Sequence, residues 1–167
     1  MRLSSKRSFS GITLVESTVG TAIAAIFLGS LFTINTSSMQ TVKTAREAAS
    51  ASQVLQQRVE SMRIANWHQI TDPAWLRDNL MNADAPGATA LKSLTEQLTI
   101  VPYGSTTTGN IQLNRLNGTT TIINSTPLLT ENAIRVIWTV TYTGTPRDRT
   151  MSRQMVTILA KGGVAKW

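Results

Sequence analysis

The sequence predicts an α+β protein: one long N-terminal helix followed by an antiparallel sheet. Three observations predict it. No proline occurs between Met1 and Asp72, so nothing breaks a helix over that stretch. Within it, apolar residues recur at three- and four-residue spacing, the period of a helix face. Beyond residue 98 the period changes to two, with turn residues between the runs. A helix and a one-sided sheet bury their apolar faces against each other, giving two layers over one core.

The 167 residues suffice for one domain with a modest core. Charged residues make up only 15%, which sets the chain apart from disordered acidic proteins. The absence of cysteine excludes disulfides, thiolate zinc sites and cysteine nucleophiles, and leaves the compartment open. The net charge of +7 would suit an anionic partner, but Arg2, Lys6 and Arg7 contribute three of the positive charges from the first seven residues. Without them 13 basic residues face nine acidic ones, a net +4.

Residues 1–11, MRLSSKRSFSG, form a short basic segment without an acid. Residues 12–34 follow, with 14 apolar side chains in 23 positions and Glu16 as the sole charge. At ~1.5 Å per residue such a helix rises about 34 Å, enough to cross a bilayer core. The positive residues ahead of it predict a cytoplasmic N-terminus and a C-terminal part on the far side. Glu16 is foreign to an ordinary anchor, because a carboxylate at the centre of a spanning helix costs roughly 2.5–3.5 kcal/mol. It is equally foreign to the uncharged centre of a secretory signal. Cleavage after Gly11 would create an α-amino group on Ile12, four residues before Glu16, and paired charges survive in low dielectric where a lone one does not.

The run Lys6-Arg7-Ser8-Phe9-Ser10-Gly11-Ile12-Thr13-Leu14-Val15-Glu16 closely resembles the N-terminal signal of type IV prepilins and type II secretion pseudopilins. The resemblance covers about 25 residues and departs at Ile12, where phenylalanine is usual. It implies a pilin-like fold, cleavage by a prepilin peptidase between Gly11 and Ile12, and N-methylation of Ile12. It implies pairing of Glu16 with the amino terminus of an adjacent subunit during assembly. The implied protein is a structural subunit, a minor pilin or pseudopilin of a type IV pilus or type II secretion pseudopilus, without enzymatic activity or cofactor. Its implied partners are the peptidase, other pilin subunits and an inner-membrane assembly platform. It would be a single-pass protein of the bacterial inner membrane with its C-terminal domain in the periplasm, and then part of a filament.

Residues 35–70 are the expected amphipathic half of the helix. Ala48, Ala51, Leu55, Val59, Met62 and Ala65 form its apolar stripe, and Lys43, Arg46, Glu47, Arg58 and Glu60 fall largely off it. Asp72-Pro73 ends the run. The stretch VLQQRVESMR is loosely similar to the helix end of minor pilins of PilV type or of I-type pseudopilins. Residues 71–167 form the expected globular domain. Residues 71–97 read as irregular or short helices, with a turn at Pro86-Gly87 and with Trp67, Trp75 and Leu76 as packing anchors. Leu98, Ile100 and Tyr103 start the strand pattern, and Pro102 suggests an edge position. Asn117-Gly118 between 111–113 and 121–123 is a two-residue hairpin signal. In AIRVIWTVTYT, residues 133–143, Ile134, Val136, Trp138, Val140 and Tyr142 share one face. Gly144 to Thr150 turns the chain, and Ser152 to Ala160 returns as its partner strand, ending in a Lys161-Gly162-Gly163 tail similar to those of minor pilin-like proteins.

Catalytic chemistry is not legible. His68 is the sole histidine, with Asp72 at i+4 as its one companion, and a metal site is not expected. Asp72, Asp78 and Asp84 give no reason to converge, and no nucleophile elbow, phosphate loop or dinucleotide fingerprint occurs. The cluster Arg147, Asp148, Arg149 and Arg153 reads either as a solvated loop with local ion pairing, the favoured account, or as a basic surface for nucleic acid. The Thr-rich stretches 105–108 and 119–121 read as polar turn regions ahead of adhesive or glycosylated ones. The alternative function is therefore a pilin-like binding module for DNA uptake or adhesion.

Overall fold

Helix α1 (Leu14–Ile64) runs unbroken for 51 residues. The computed structural model describes residues 13–105, 109–146 and 148–162. The chain divides into two units, one ending at Thr41 and one beginning at Val42. In the second unit Ala51, Val54, Leu55, Val59 and Met62 are buried, close to the expected stripe. One charged residue joins them: Arg58, expected off the stripe, is 4% exposed. Its position three residues after Leu55 and four before Met62 puts it on the buried face whatever its charge.

Local capping explains where α1 stops. The Asn66 side chain accepts the Gln69 N–H at 3.0 Å, and the Gln69 side chain accepts the Asn66 N–H at 2.9 Å. This capping box starts the short helix α2 (Trp67–Ile70) in place of another turn of α1. Asp72 then caps α3 (Pro73–Trp75), which widens into a π-helical turn at Leu76–Met81. Leu76 is fully buried, and Trp67 and Trp75 pack half-buried against the core, as anchors should.

Five antiparallel strands follow: β1 (Lys92–Pro102), β2 (Ile111–Leu116), β3 (Thr119–Ser125), β4 (Ala133–Gly144) and β5 (Arg149–Ala160). Their order is β3-β2-β1-β4-β5. β1 starts at Lys92, six residues before the expected Leu98, and its pairing with β4 shifts register between Lys92 and Thr95. Pro102 does not mark an edge, because β1 is the central strand. The proline is that strand's last residue, where a missing N–H interrupts nothing, and Tyr103 N–H resumes bonding to Ala133 O at 2.9 Å.

Asn117 (φ 50°) and Gly118 (φ 82°) make the two-residue turn between β2 and β3. The second Thr-rich stretch, 119–121, belongs to β3 and pairs with β2. Of the first, 106–108 lies outside the described residues. β4 buries its five predicted residues in the helix–sheet core, Trp138 fully. β5 begins at Arg149, three residues earlier than expected, and pairs with β4 over twelve consecutive positions.

Candidate functional site

Gly11 and Ile12 lie outside the described residues. The first described residue of the motif, Thr13, caps α1: its hydroxyl accepts the Glu16 N–H at 3.3 Å, and its carbonyl accepts the Ser17 N–H at 3.1 Å. Thr13-Leu14-Val15-Glu16 thus has the spacing of a capping box, a signal the sequence carries. Among the described residues the reciprocal bond from Glu16 back to Thr13 is not made. The carboxylate stands in the first turn, where the helix's unpaired N–H groups favour negative charge.

From Leu14 to Ile34 the helix is apolar and exposed. Ile26 is 74% exposed, and Phe27, Phe32 and Ile34 are comparably bare. α1 is long and apolar enough to cross a membrane. Its five hydroxyls in this stretch are directed inward on their own backbone. Ser17 and Thr18 donate to Leu14 O, Thr21 to Ser17 O, Ser30 to Phe27 O and Thr33 to Gly29 O, all at 2.7–3.0 Å. Such back-bonding satisfies a hydroxyl without water, as a hydrocarbon or packed apolar environment demands.

The basic cluster is only partly brought together. Arg147 lies outside the described residues. Arg149 and Arg153 are exposed on β5 and have no hydrogen bond or ion pair among the described residues. Among the described residues Asp148 pairs across to Lys92 at 3.0 Å and not with Arg149.

The densest charge constellation escaped the sequence reading. Glu96, fully buried on β1, takes a two-pronged hydrogen bond from Arg58 (2.8 and 2.9 Å) and a third from Arg115 at 2.9 Å. Arg58 also donates to the carbonyls of Leu80 and Ala83 and lies 5.9 Å from the Trp138 ring centre. Arg115 donates to Asp84 as well. Burial pulls the Arg115 pKa down, but bonds to Asp84 and the nearby Glu96 carboxylate outweigh it and leave it raised. The hydrogen bond from Arg115, then its charge, holds Asp84 below the usual carboxylate range. The Arg58 guanidinium and the two terminal nitrogens of Arg115 are matched to acceptors, while the buried Arg115 Nε has no hydrogen-bond partner. This is a structural cluster joining α1, β1 and β2.

The other acids do not converge. Asp72 caps Ala74 N–H at 2.9 Å, Asp78 pairs with Arg77 at 2.7 Å, and His68 is exposed on α2. Among the described residues, no three of His, Asp or Glu gather as a metal site would require. A groove of about 980 Å³ is lined by Met62, Trp67, Ile70 and Leu159 among others, with Arg63 its single charged residue. No family model matches this chain, and neither a curated protein nor a solved structure is significantly similar to it.

Proposed function

We propose that this chain is a non-enzymatic filament subunit, a minor pilin or pseudopilin of a type IV pilus or type II secretion pseudopilus. In this reading a prepilin peptidase removes residues 1–11 and Ile12 becomes the methylated N-terminus. The observation that carries the reading is the exposed apolar segment Leu14–Ile34, opened by Thr13 and Glu16 and with every hydroxyl turned onto its own helix. Burying a large apolar side chain is worth about 1.5–3 kcal/mol, so the ten exposed between Leu14 and Ile34 hold tens of kcal/mol that only a bilayer or neighbouring subunits release.

Assembly is then an exchange of environments. The helix leaves lipid for the packed centre of a filament, at little change in apolar exposure. Glu16 is the exception, since a carboxylate in either environment needs a counter-charge, and the new amine of an adjacent subunit supplies one. N-terminal sequencing of the protein recovered from its cells tests the proposal. A chain beginning at Ile12 is expected; one still carrying Met1 to Gly11 overturns it.

A further inference from the structure

The two edges of the sheet are built differently. β3 is seven residues long, and its pairing with β2 shifts register between Gln112 and Leu113, so that edge is short and bulged. Both features blunt a sheet edge against further pairing. β5 has neither. It keeps twelve successive pairs with β4, contains no proline and shows no register shift. The Lys161 N–H bond to Asn132 O at 2.8 Å fixes which residues of this side of the ladder face β4. By the alternation of an antiparallel ladder, Thr150, Ser152, Gln154, Val156, Ile158 and Ala160 then direct their backbone N–H and C=O groups outward.

The side chains along this edge have a distinct chemistry. Val156 and Ile158 are 52% and 54% exposed, toward the strand's C-terminal end. Arg149 and Arg153 are exposed toward its N-terminal end, and β5 contains no acid. They occupy odd positions, where an added antiparallel strand makes its closer, non-hydrogen-bonded pairs at about 4.5 Å between Cα atoms. A second copy of this chain is a poor occupant, because joining two β5 edges brings four arginines to a seam without a carboxylate.

We propose that the β5 edge accepts an extended segment of a different polypeptide as a sixth strand. That segment carries carboxylates opposite Arg149 and Arg153 and β-branched apolar residues opposite Val156 and Ile158. Main-chain hydrogen bonds from the even positions hold it, and the two charges set its register. This inference rests on the sheet alone and stands independently of the filament reading.

A synthetic peptide tests it. The probe is a dye-labelled twelve-residue peptide, mostly threonine, with valine at its third and fifth positions and glutamate at its eighth and twelfth. Binding to the full chain in detergent is read by fluorescence anisotropy. The glutamate peptide should bind at least roughly tenfold tighter than its lysine counterpart, since opposite-charge pairs replace like-charge ones at two sites. The double variant Arg149→Glu/Arg153→Glu should reverse that order. Val156→Pro removes an outward N–H without touching the β4 ladder and should abolish binding, with circular dichroism reporting that the sheet persists. Amide exchange at Val156 and Ile158 should slow when the glutamate peptide is present. Three results would overturn the proposal: no saturable binding at millimolar peptide, equal binding of both peptides, or undiminished binding by a folded Val156→Pro protein. Duplex DNA displacing the peptide from wild type and binding Val156→Pro equally well would make the surface a polyanion site instead.

Discussion

Replacing Glu96 with glutamine is the most severe test of how this core is held. The side chain is fully buried and is the one carboxylate shared by Arg58 and Arg115, themselves 4% and 5% exposed. Glutamine keeps the shape and one acceptor oxygen but removes the charge from between two buried cations. Breaking a buried pair from one side costs about 3–5 kcal/mol. Here the loss should fall near the lower figure, because Arg58 retains the Leu80 and Ala83 carbonyls and Arg115 retains Asp84. Against a total stability of about 5–15 kcal/mol this is a large fraction, and it corresponds to a melting-point drop on the order of 10 °C. The assay is urea and thermal unfolding of the full chain in detergent, followed by tryptophan fluorescence, with Trp138 reporting from beside Arg58. Replacing all three residues with methionine or leucine should recover most of the loss, since apolar substitutes for a buried ion cluster are often neutral. A Glu96→Gln protein within 1 kcal/mol of wild type would refute the reasoning, showing that the arginines reach water when the acid is gone.

Four further substitutions probe other parts of the chain. Gly11→Leu should leave an unprocessed precursor, visible as a larger band on an immunoblot; normal cleavage would mean the processing site lies elsewhere. Glu16→Ala should still be cleaved and should insert more easily, by up to roughly 2.5–3.5 kcal/mol, yet should be depleted from sheared filaments relative to inner membrane. Equal filament content in mutant and wild type would remove Glu16 from assembly. Glu47 is held below its ordinary pKa of 4.5, first by the Thr145 N–H, then by the Thr145 hydroxyl and the nearby Lys43, against the opposing effect of burial. A depressed carboxylate contributes stability that is present above its unfolded pKa and lost as pH falls through the folded value, so Glu47→Gln should flatten the decline in urea midpoint below about pH 5. An unchanged acid limb would show that the Thr145 contacts do not bias its protonation. Gly118→Ala should cost about 1–2 kcal/mol in the same assay, from the left-handed backbone alone, because the added Cβ meets nothing nearer than the Arg115 guanidinium at 4.0 Å. No loss would mean that the turn adjusts freely.

What the sequence revealed followed periodicity. β4 was legible because one face alternates without exception, and the β2–β3 turn because Asn-Gly accepts positive φ at both positions. What it concealed depended on partners distant along the chain. Arg58 lies in register with Leu55 and Met62, but reading its charge before its position set it among solvated residues. Only the meeting of residues 58, 84, 96 and 115 shows why a charge is buried there. Pro102 misled for a related reason: a proline signals a gap in hydrogen bonding, and a strand's end supplies that gap as well as a sheet's edge does. At the candidate site, the acid's unusual setting was plain from its neighbours. The Thr13 cap on the Glu16 backbone N–H was equally present in the spacing and went unread beside the stronger pattern.

The inward-turned hydroxyls of the apolar helix have a mechanical consequence. A helix surface that spends its hydroxyls on its own backbone presents neighbours mainly with aliphatic side chains and the rings of Phe27 and Phe32. Attraction between such surfaces is then dispersion, strong in sum and without a directional bond, so their alignment rests on how the side chains interdigitate. In a bundle of such helices the single ionic anchor of this stretch would be Glu16.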